Sequence, residues 1–139
     1  MTVHQKILKW ILVVSGMFLM LAFAAMLLPV EWMASAHQWL GLGEFPDRPI
    51  TNYLARSTSL MYGLHGTLMF YTGLTIEKHW RFAPLFGWLH VLTGTSVFFF
   101  DWFAPMPMYW TLMEGPPVAA LGVGIIYCCR LAGFDAEDN

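Results

Sequence analysis

The fold of this chain is decided by stretches such as ILKWILVVSGMFLMLAFAAMLL, residues 7–28. Three more apolar stretches of similar length follow, at residues 54–75, 82–102 and 108–131. Each is close to the roughly 20 residues that a helix needs to cross about 30 Å of hydrocarbon. The sequence therefore predicts an all-α integral membrane four-helix bundle, a single transmembrane domain that covers residues 1–139.

The composition supports this prediction without reference to any one stretch. Hydrophobic residues make up 58% of the chain and charged residues only 12%, whereas a soluble domain usually carries about 25% charged residues. The net charge is −2. We therefore expect the lipid bilayer as the surrounding medium and no nucleic acid as a partner.

The basic residues predict the orientation of the chain. They lie around the start of the first stretch, between the second and third stretches, and at the end of the fourth: Lys6, Lys9, Lys78, Arg81 and Arg130. Because cytoplasmic loops are rich in Lys and Arg, both termini and the second connection are predicted to be cytoplasmic. The first stretch is longer than the 7–15 residues of a typical signal-peptide core, so we expect it to be retained. The predicted location is the bacterial inner (plasma) membrane, with several crossings.

The connection between the first two stretches contains a candidate surface helix. Residues 31–40 place Trp32 and Trp39 on one side of a short helix. This pattern is typical of a helix that lies in the interface with its aromatic side chains among the headgroups. A lid over an outward-facing site is the alternative.

Small residues recur every four positions on the second and fourth stretches. They are Ala55, Ser59, Gly63 and Thr67 on the second, and the pairs Gly115/Ala119 and Ala120/Gly124 on the fourth. Such ridges let helices approach closely. They serve either to hold the four helices together or to join copies into a homo-oligomer or a larger membrane complex. Pro116 and Pro117 are expected to kink or interrupt the fourth helix.

Three charged residues fall at a similar depth near the predicted outer boundary of the membrane. Arg56 opens the second stretch, Asp101 ends the third, and Glu114 lies in the first turns of the fourth. A charge at such a depth is costly unless it is paired or hydrated. The sequence predicts an ion-pair cluster in which the forked guanidinium bridges the carboxylates and clamps three helices. An anion or proton site at the membrane surface is the alternative.

His65 and His90 form a second pair at matching depth. Each lies about 12 residues from the outer end of its stretch, roughly 18 Å down and close to the midplane. Such a pair could ligate a haem iron or another metal. The neighbouring glycines would make room for a flat ring: Gly63, Gly66, Gly87 and Gly94. However, Arg56 and His65 point to opposite sides of their helix, whereas His90 and Asp101 share one face of theirs. The ion-pair cluster and the histidine site therefore compete, unless Arg56 pairs mainly with Glu114.

Two segments resemble parts of small uncharacterised four-helix bacterial membrane proteins, loosely labelled DoxX-like or BphX-like. They are Tyr53–Ser57, which opens the second stretch, and Trp110–Pro116, which opens the fourth. The resemblance implies a four-helix membrane fold and fits Arg56 and Glu114 as a matched pair. It brings no activity with it.

Two functional hypotheses follow. The first is a non-enzymatic accessory or oligomer-forming subunit whose buried polar residues are structural, without cofactor. The second is a small membrane carrier, or a haem- or metal-binding redox subunit that uses His65 and His90. The sequence contains no recognisable catalytic motif or metal-ligand spacing, so we assign no catalytic residue and no metal site.

Overall fold

The computed structural model of the chain describes residues 1–133 and is built of helices. No strand occurs among these residues, so the predicted all-α class is confirmed. The C-terminal end of the predicted domain, residues 134–139, lies outside the described part. The helices are α1 (Val3–Met20), α2 (Ala22–Leu27), α3 (Val30–Trp39), α4 (Pro49–Leu74), α5 (Ile76–His79), α6 (Ala83–Phe103) and α7 (Met108–Ala132), with a 3₁₀ turn (Trp80–Phe82) before α6.

Three helical segments are long and apolar enough to cross a membrane: Val3–Leu27, Ile76–Phe103 and Met108–Ala132. Fewer than one residue in three of the most apolar part of each is buried within the protein. Their outward side chains include Phe18 and Phe100, which are 70% and 69% exposed. Extended apolar surfaces of this kind mark contact with a membrane or a partner. The segments agree with the first, third and fourth predicted stretches.

Helix α4 corresponds to the second predicted stretch but begins at Pro49 rather than at Leu54. Proline suits the first turn of a helix because the N–H group it lacks would have no partner there. With 26 residues the helix is about 39 Å long, enough to cross a bilayer. It is less apolar than the other three, because it carries Arg56, His65 and seven Ser, Thr and Asn residues. The fourth crossing therefore stays a prediction.

The chain forms two compact units. Within the described residues, one contains residues 1–14 and 71–133, and the other contains Ser15–Phe70. The boundaries fall inside α1 and α4, so each of these helices contributes to both units. The single transmembrane domain stays a prediction.

In the first unit, the start of α1 lies beside the end of α7. The backbone N–H of Thr2 donates to Gln5 Oε1 (2.8 Å), and the backbone N–H of Gln5 donates to Thr2 Oγ1 (3.2 Å). This reciprocal pair is a capping box, which satisfies two N–H groups that the helix itself leaves without partners. The amide of Gln5 also donates to the carbonyl of Ala132 (3.3 Å). One buried side chain thus joins the first turn of the chain to the last turn of α7.

Helices α6 and α7 form an antiparallel hairpin whose backbones meet at glycines. A Cβ atom on Gly94 would lie 2.5 Å from the carbonyl oxygen of Gly115, and one on Gly122 would lie 2.5 Å from that of Gly87. The two glycines of each helix are seven residues apart. A step of seven residues along a helix is a rotation within about 20° of two full turns, so both glycines lie on the same face of their helix. The hairpin is therefore held at two places where only a hydrogen fits.

In the second unit, the first span and α4 also run antiparallel. A Cβ atom on Gly16 would lie 2.8 Å from the carbonyl oxygen of Gly66, and one on Gly63 would lie 2.6 Å from the ring of Phe23. Of the predicted small-residue ridge, Gly63 takes part in this contact whereas Thr67 is exposed. The backbone contact is made at Gly66, which lies off the predicted four-residue repeat.

Pro116 and Pro117 lie inside α7, which continues through them from Met108 to Ala132. Of the two predicted effects, the interruption of this helix is therefore wrong, and the kink stays a prediction. The φ angle that proline imposes is itself helical, and the two missing N–H groups leave only the carbonyls four residues earlier without helical partners. Prolines are tolerated within membrane helices where neighbouring groups take up such carbonyls.

Candidate functional site: the buried polar residues

The side chain of Arg56 caps the C-terminal end of the first span. It is half-buried on α4, and its guanidinium donates to the carbonyl oxygens of Met26 and of Leu28, the latter at 3.0 Å. The last carbonyls of a helix have no partner within it, and a positive charge at this end is favoured by the helix dipole. Arg56 supplies both the donors and the charge.

This role of Arg56 was not predicted. The sequence does contain a signal for it, since Pro29 directly after Leu28 ends the first span and leaves its final carbonyls in need of donors. The predicted partner of the guanidinium was a carboxylate. A backbone carbonyl is common to all residue types, so a sequence does not show which one will act as the acceptor. Arg56 thus has at least two structural partners that are independent of any acid.

Asp101 lies in the last turn of α6 and is only 9% exposed. Its Oδ2 atom is buried and has no hydrogen-bond partner within residues 1–133. A buried carboxylate oxygen without a donor is unfavourable, so such a group calls for an explanation in structural or functional terms.

Glu114 lies on α7 and is half-buried. Trp110, one turn earlier, lies within hydrogen-bonding reach of its carboxylate, and Asp101 lies close enough for the two carboxylates to repel each other. The structure therefore brings two of the three predicted cluster members together, both within the first unit. Arg56 belongs to the other unit, and its pairing with the two carboxylates stays a prediction.

His90 lies in the contact between α6 and α7 and is 6% exposed. Its Nδ1 atom lies 2.8 Å from the carbonyl oxygen of Phe86, and Nδ1 is the donor in this contact because a carbonyl can only accept. Gly94 and Asp101 are buried on the same helix, as the predicted common face requires. A Cβ atom on Gly122 would come within 2.9 Å of the Cβ of His90, so this histidine packs against α7.

The space beside the four glycines near the histidines is filled by protein. At each glycine, the position that a Cβ atom would take lies against a neighbouring helix. Gly63 packs against Phe23, Gly66 against Gly16 and Leu19, Gly87 against Ile126, and Gly94 against Ala119. These glycines therefore bring helices together and leave no space for a flat ring there. The sequence signal for this role is the seven-residue spacing of Gly66 and Gly73, Gly87 and Gly94, and Gly115 and Gly122.

His65 is half-buried on α4, in the other unit from His90. Ligation of a haem or metal by the two histidines stays a prediction. Within the described part of the chain, no group of three or more His, Cys, Asp or Glu side chains is arranged to hold a metal ion.

These features define a class: a helical protein with three helices that could cross a membrane, with polar side chains in helix contacts and at a helix end. Comparison with known proteins narrows the class no further. No protein-family model matches the sequence, and neither curated proteins nor solved structures give a significant match. The resemblance of Tyr53–Ser57 and Trp110–Pro116 to DoxX-like and BphX-like proteins therefore transfers no function to this chain.

Proposed function

We propose that this chain is an integral membrane protein that crosses the bilayer four times and serves as a non-enzymatic, oligomer-forming or accessory subunit. The observation that carries the proposal is the hydrogen bond from Gln5 to Ala132, because it supports an even number of crossings. The structural contacts of Arg56 and His90 support the view that the buried polar residues hold helices together.

The start of the first helix and the end of the last one lie together, which bears on the number of membrane crossings. Gln5 and Ala132 are in contact, so α1 starts on the side of the membrane where α7 ends. The α6–α7 hairpin starts and ends on that same side. A first span that ends at Leu27 on the far side must therefore be followed by a return crossing before α6. Within residues 28–75, α4 is the helix long enough to make it.

The exposed basic residues support the proposed orientation. Lys6 lies in the first turn of α1 and Lys78 lies in α5, just before α6, on the side where Gln5 and Ala132 meet. By the positive-inside rule, we propose that this side faces the cytoplasm. The proposed location is the inner (plasma) membrane of a bacterial cell.

The subunit role is supported by a face of α7 that points away from α6. Gly124 has nothing within 4 Å of the position its Cβ would occupy, and Ala120, one turn earlier, is exposed. Small residues four apart are a common means of close helix contact in membranes. The first small pair of α7 packs against α6 through Gly115, so the second pair is available for contact with another copy or a partner subunit.

The crossing number can be tested with cysteine labelling in intact cells. Both native cysteines are first replaced by serine, and then Glu44→Cys and Lys78→Cys are made separately, since both positions are exposed. A membrane-impermeant maleimide should label position 44 in intact cells and position 78 only after lysis. Labelling of both positions from the same side would overturn the four-crossing topology.

The oligomer can be tested with the two adjacent cysteines. On a helix, Cys128 lies about 40° from Gly124 and Cys129 about 140° from it, and both are half-buried. Oxidation in membranes should cross-link copies that retain only Cys128 and should leave copies that retain only Cys129 monomeric. A monomeric mass in mild detergent, together with no cross-link and no co-purifying subunit, would refute the subunit proposal.

A second candidate function is a small membrane carrier, favoured by the buried Oδ2 of Asp101 beside Glu114. Ionisable side chains inside a membrane are typical of ion and proton pathways. In proteoliposomes, Glu114→Gln should then change ion-dependent uptake without reducing the amount of folded protein. A reduced amount of folded protein with unchanged uptake would favour the structural role. The redox form of this hypothesis requires a Soret band that His65→Ala and His90→Ala each abolish.

A further inference from the structure

We infer that helix α3, Val30–Trp39, lies in the headgroup layer of the bilayer with Trp32 and Trp39 directed to the acyl chains. The inference rests on the proposed crossing of the membrane by Val3–Leu27. It identifies the partner of this surface as the lipid interface, held by aromatic contact and not by charge.

The position of α3 follows from its short link to the first span. Helix α2 ends at Leu27 and α3 begins at Val30, so at most about 10 Å of extended chain separates them. Arg56 binds the carbonyl of Leu28 in this link and so holds it at the end of the span. The polar layer on each side of the hydrocarbon is only about 5–8 Å thick. A helix attached in this way starts within or directly against that layer.

The outward face of α3 is aromatic. Trp32, Ala36 and Trp39 fall within about 60° of one another on the helix. All three are exposed, with Trp32 at 66% and Trp39 at 85%. Tryptophan is enriched at membrane interfaces because it combines a large apolar body with a single N–H donor. This face has the chemistry of a lipid interface.

The opposite face of α3 is held by the loop that follows it. The ring of His37 contacts the carbonyl of Gly43 through Nδ1 at 3.1 Å and lies edge-on to Phe45, with 5.6 Å between ring centroids. The hydroxyl of Ser35, beside the aromatic face, donates to the carbonyl of Glu31 at 2.8 Å and so does not depend on water for a partner. The helix therefore has one side fixed to the protein and one side turned outward.

The charges near α3 decide which kind of lipid contact is expected. The segment 31–48 contains Glu31, Glu44 and Asp47 against Arg48, a net charge of −2 with His37 neutral. It is not attracted to anionic headgroups. Binding must therefore come from the aromatic face, and it should be insensitive to the anionic lipid content and to salt.

The test is site-directed spin labelling of the full chain in phosphatidylcholine vesicles. With both native cysteines replaced by serine, a nitroxide is attached at Ala36→Cys, at Gln38→Cys as the matched control on the other face, and at Phe18→Cys as a reference within the span. All three positions are exposed in the structure. Collisions with oxygen report lipid, and collisions with a water-soluble nickel chelate report water.

The expected result is a several-fold higher oxygen-to-nickel collision ratio at position 36 than at position 38, with the highest ratio at position 18. Addition of phosphatidylglycerol or salt should leave the ratio at position 36 unchanged. Replacement of both Trp32 and Trp39 by serine should lower it towards the value at position 38.

Three results would overturn the inference. If labels at positions 36 and 38 are equally hydrated while position 18 is in lipid, α3 lies off the membrane and the proposed topology survives. If position 36 is shielded from both reagents, protein covers this face instead of lipid. If position 18 itself is hydrated, the membrane proposal fails and the inference fails with it.

Discussion

A single methyl group at Gly94 should force helices α6 and α7 apart. In Gly94→Ala, the new Cβ would lie 2.5 Å from the carbonyl oxygen of Gly115, where ordinary contact begins at 3.4 Å. The atoms that the new Cβ would meet belong to the backbone of α7, at Gly115 and Ala119, so no side chain can rotate away to relieve the shortfall of about 0.9 Å. Overpacking of this kind typically costs about 1–3 kcal/mol, and contact with rigid backbone atoms places Gly94→Ala in the upper half of that range.

The effect of helix propensity must be separated from this steric cost. Alanine is favoured over glycine inside a helix by about 1 kcal/mol, which partly masks the overpacking. Gly124→Ala is the matched control, because it adds the same methyl group to α7 where nothing in the same chain lies within 4 Å. Both variants are compared as monomers, at a high ratio of detergent to protein, so that the proposed contact of Gly124 with another subunit does not contribute. The difference between the two variants cancels the propensity and leaves the steric cost of about 2–3 kcal/mol.

The assay is reversible unfolding in mixed micelles, with the free energy of unfolding followed as the fraction of a denaturing detergent rises. Gly94→Ala should unfold at a clearly lower fraction than the unmodified protein, and Gly124→Ala at the same or a higher one. If the two variants differ by less than about 0.5 kcal/mol, the close contact of α6 with α7 does not exist as described.

Two further substitutions test the other structural contacts in the same assay. Arg56→Ala should lower the free energy of unfolding by about 2 kcal/mol, because charged hydrogen bonds to two helix-end carbonyls are lost. Its control is Arg48→Ala at an exposed position, which should change the free energy of unfolding by less than about 0.5 kcal/mol. Gln5→Ala should cost about 1 kcal/mol through loss of the capping box, with an added cost from the carbonyl of Ala132 left without its donor. Unchanged stability of Gln5→Ala would remove the contact that supports an even number of crossings.

Composition and length were enough to predict three helices that could cross a membrane. Stretches of more than 20 apolar residues have few structural alternatives to a membrane helix, and the three most apolar ones appear where they were expected. The common face of His90 and Asp101 also followed from helical geometry, because the angle between two positions on one helix does not depend on its neighbours.

The partners of the polar residues could not be predicted in the same way. Arg56 was assigned to carboxylates because opposite charges are visible in a sequence, whereas the carbonyls of Met26 and Leu28 are present at every position of every chain. Which carbonyls lack a helical partner depends on where the helix ends. The end of a helix is the least certain part of any prediction from sequence.

The glycine contacts explain how α4 can share a fold with more apolar helices. Lipid tails are as apolar as leucine, so helices in a bilayer gain little from apolar burial and associate through close packing and hydrogen bonds. Gly66 faces the first span in one unit, and Gly73 faces Leu12 and Val13 in the other, seven residues along the same helix. Such contacts hold α4 by its backbone and do not require an apolar surface.

The polar composition of α4 also affects how this helix is inserted into the membrane and therefore how the chain is oriented. A helix inserted alone is selected by its hydrophobicity, and α4 is the weakest of the four by that measure. A helix that packs backbone to backbone against a span already in place can carry Arg56 and seven small polar residues. Its insertion should then depend on the first span. In a chain with bulky residues at both Gly66 and Gly73, the label at position 78 should become accessible from the outside, while position 44 keeps its side. A variant in which position 78 remains cytoplasmic would show that α4 crosses by its own hydrophobicity and not through its glycines.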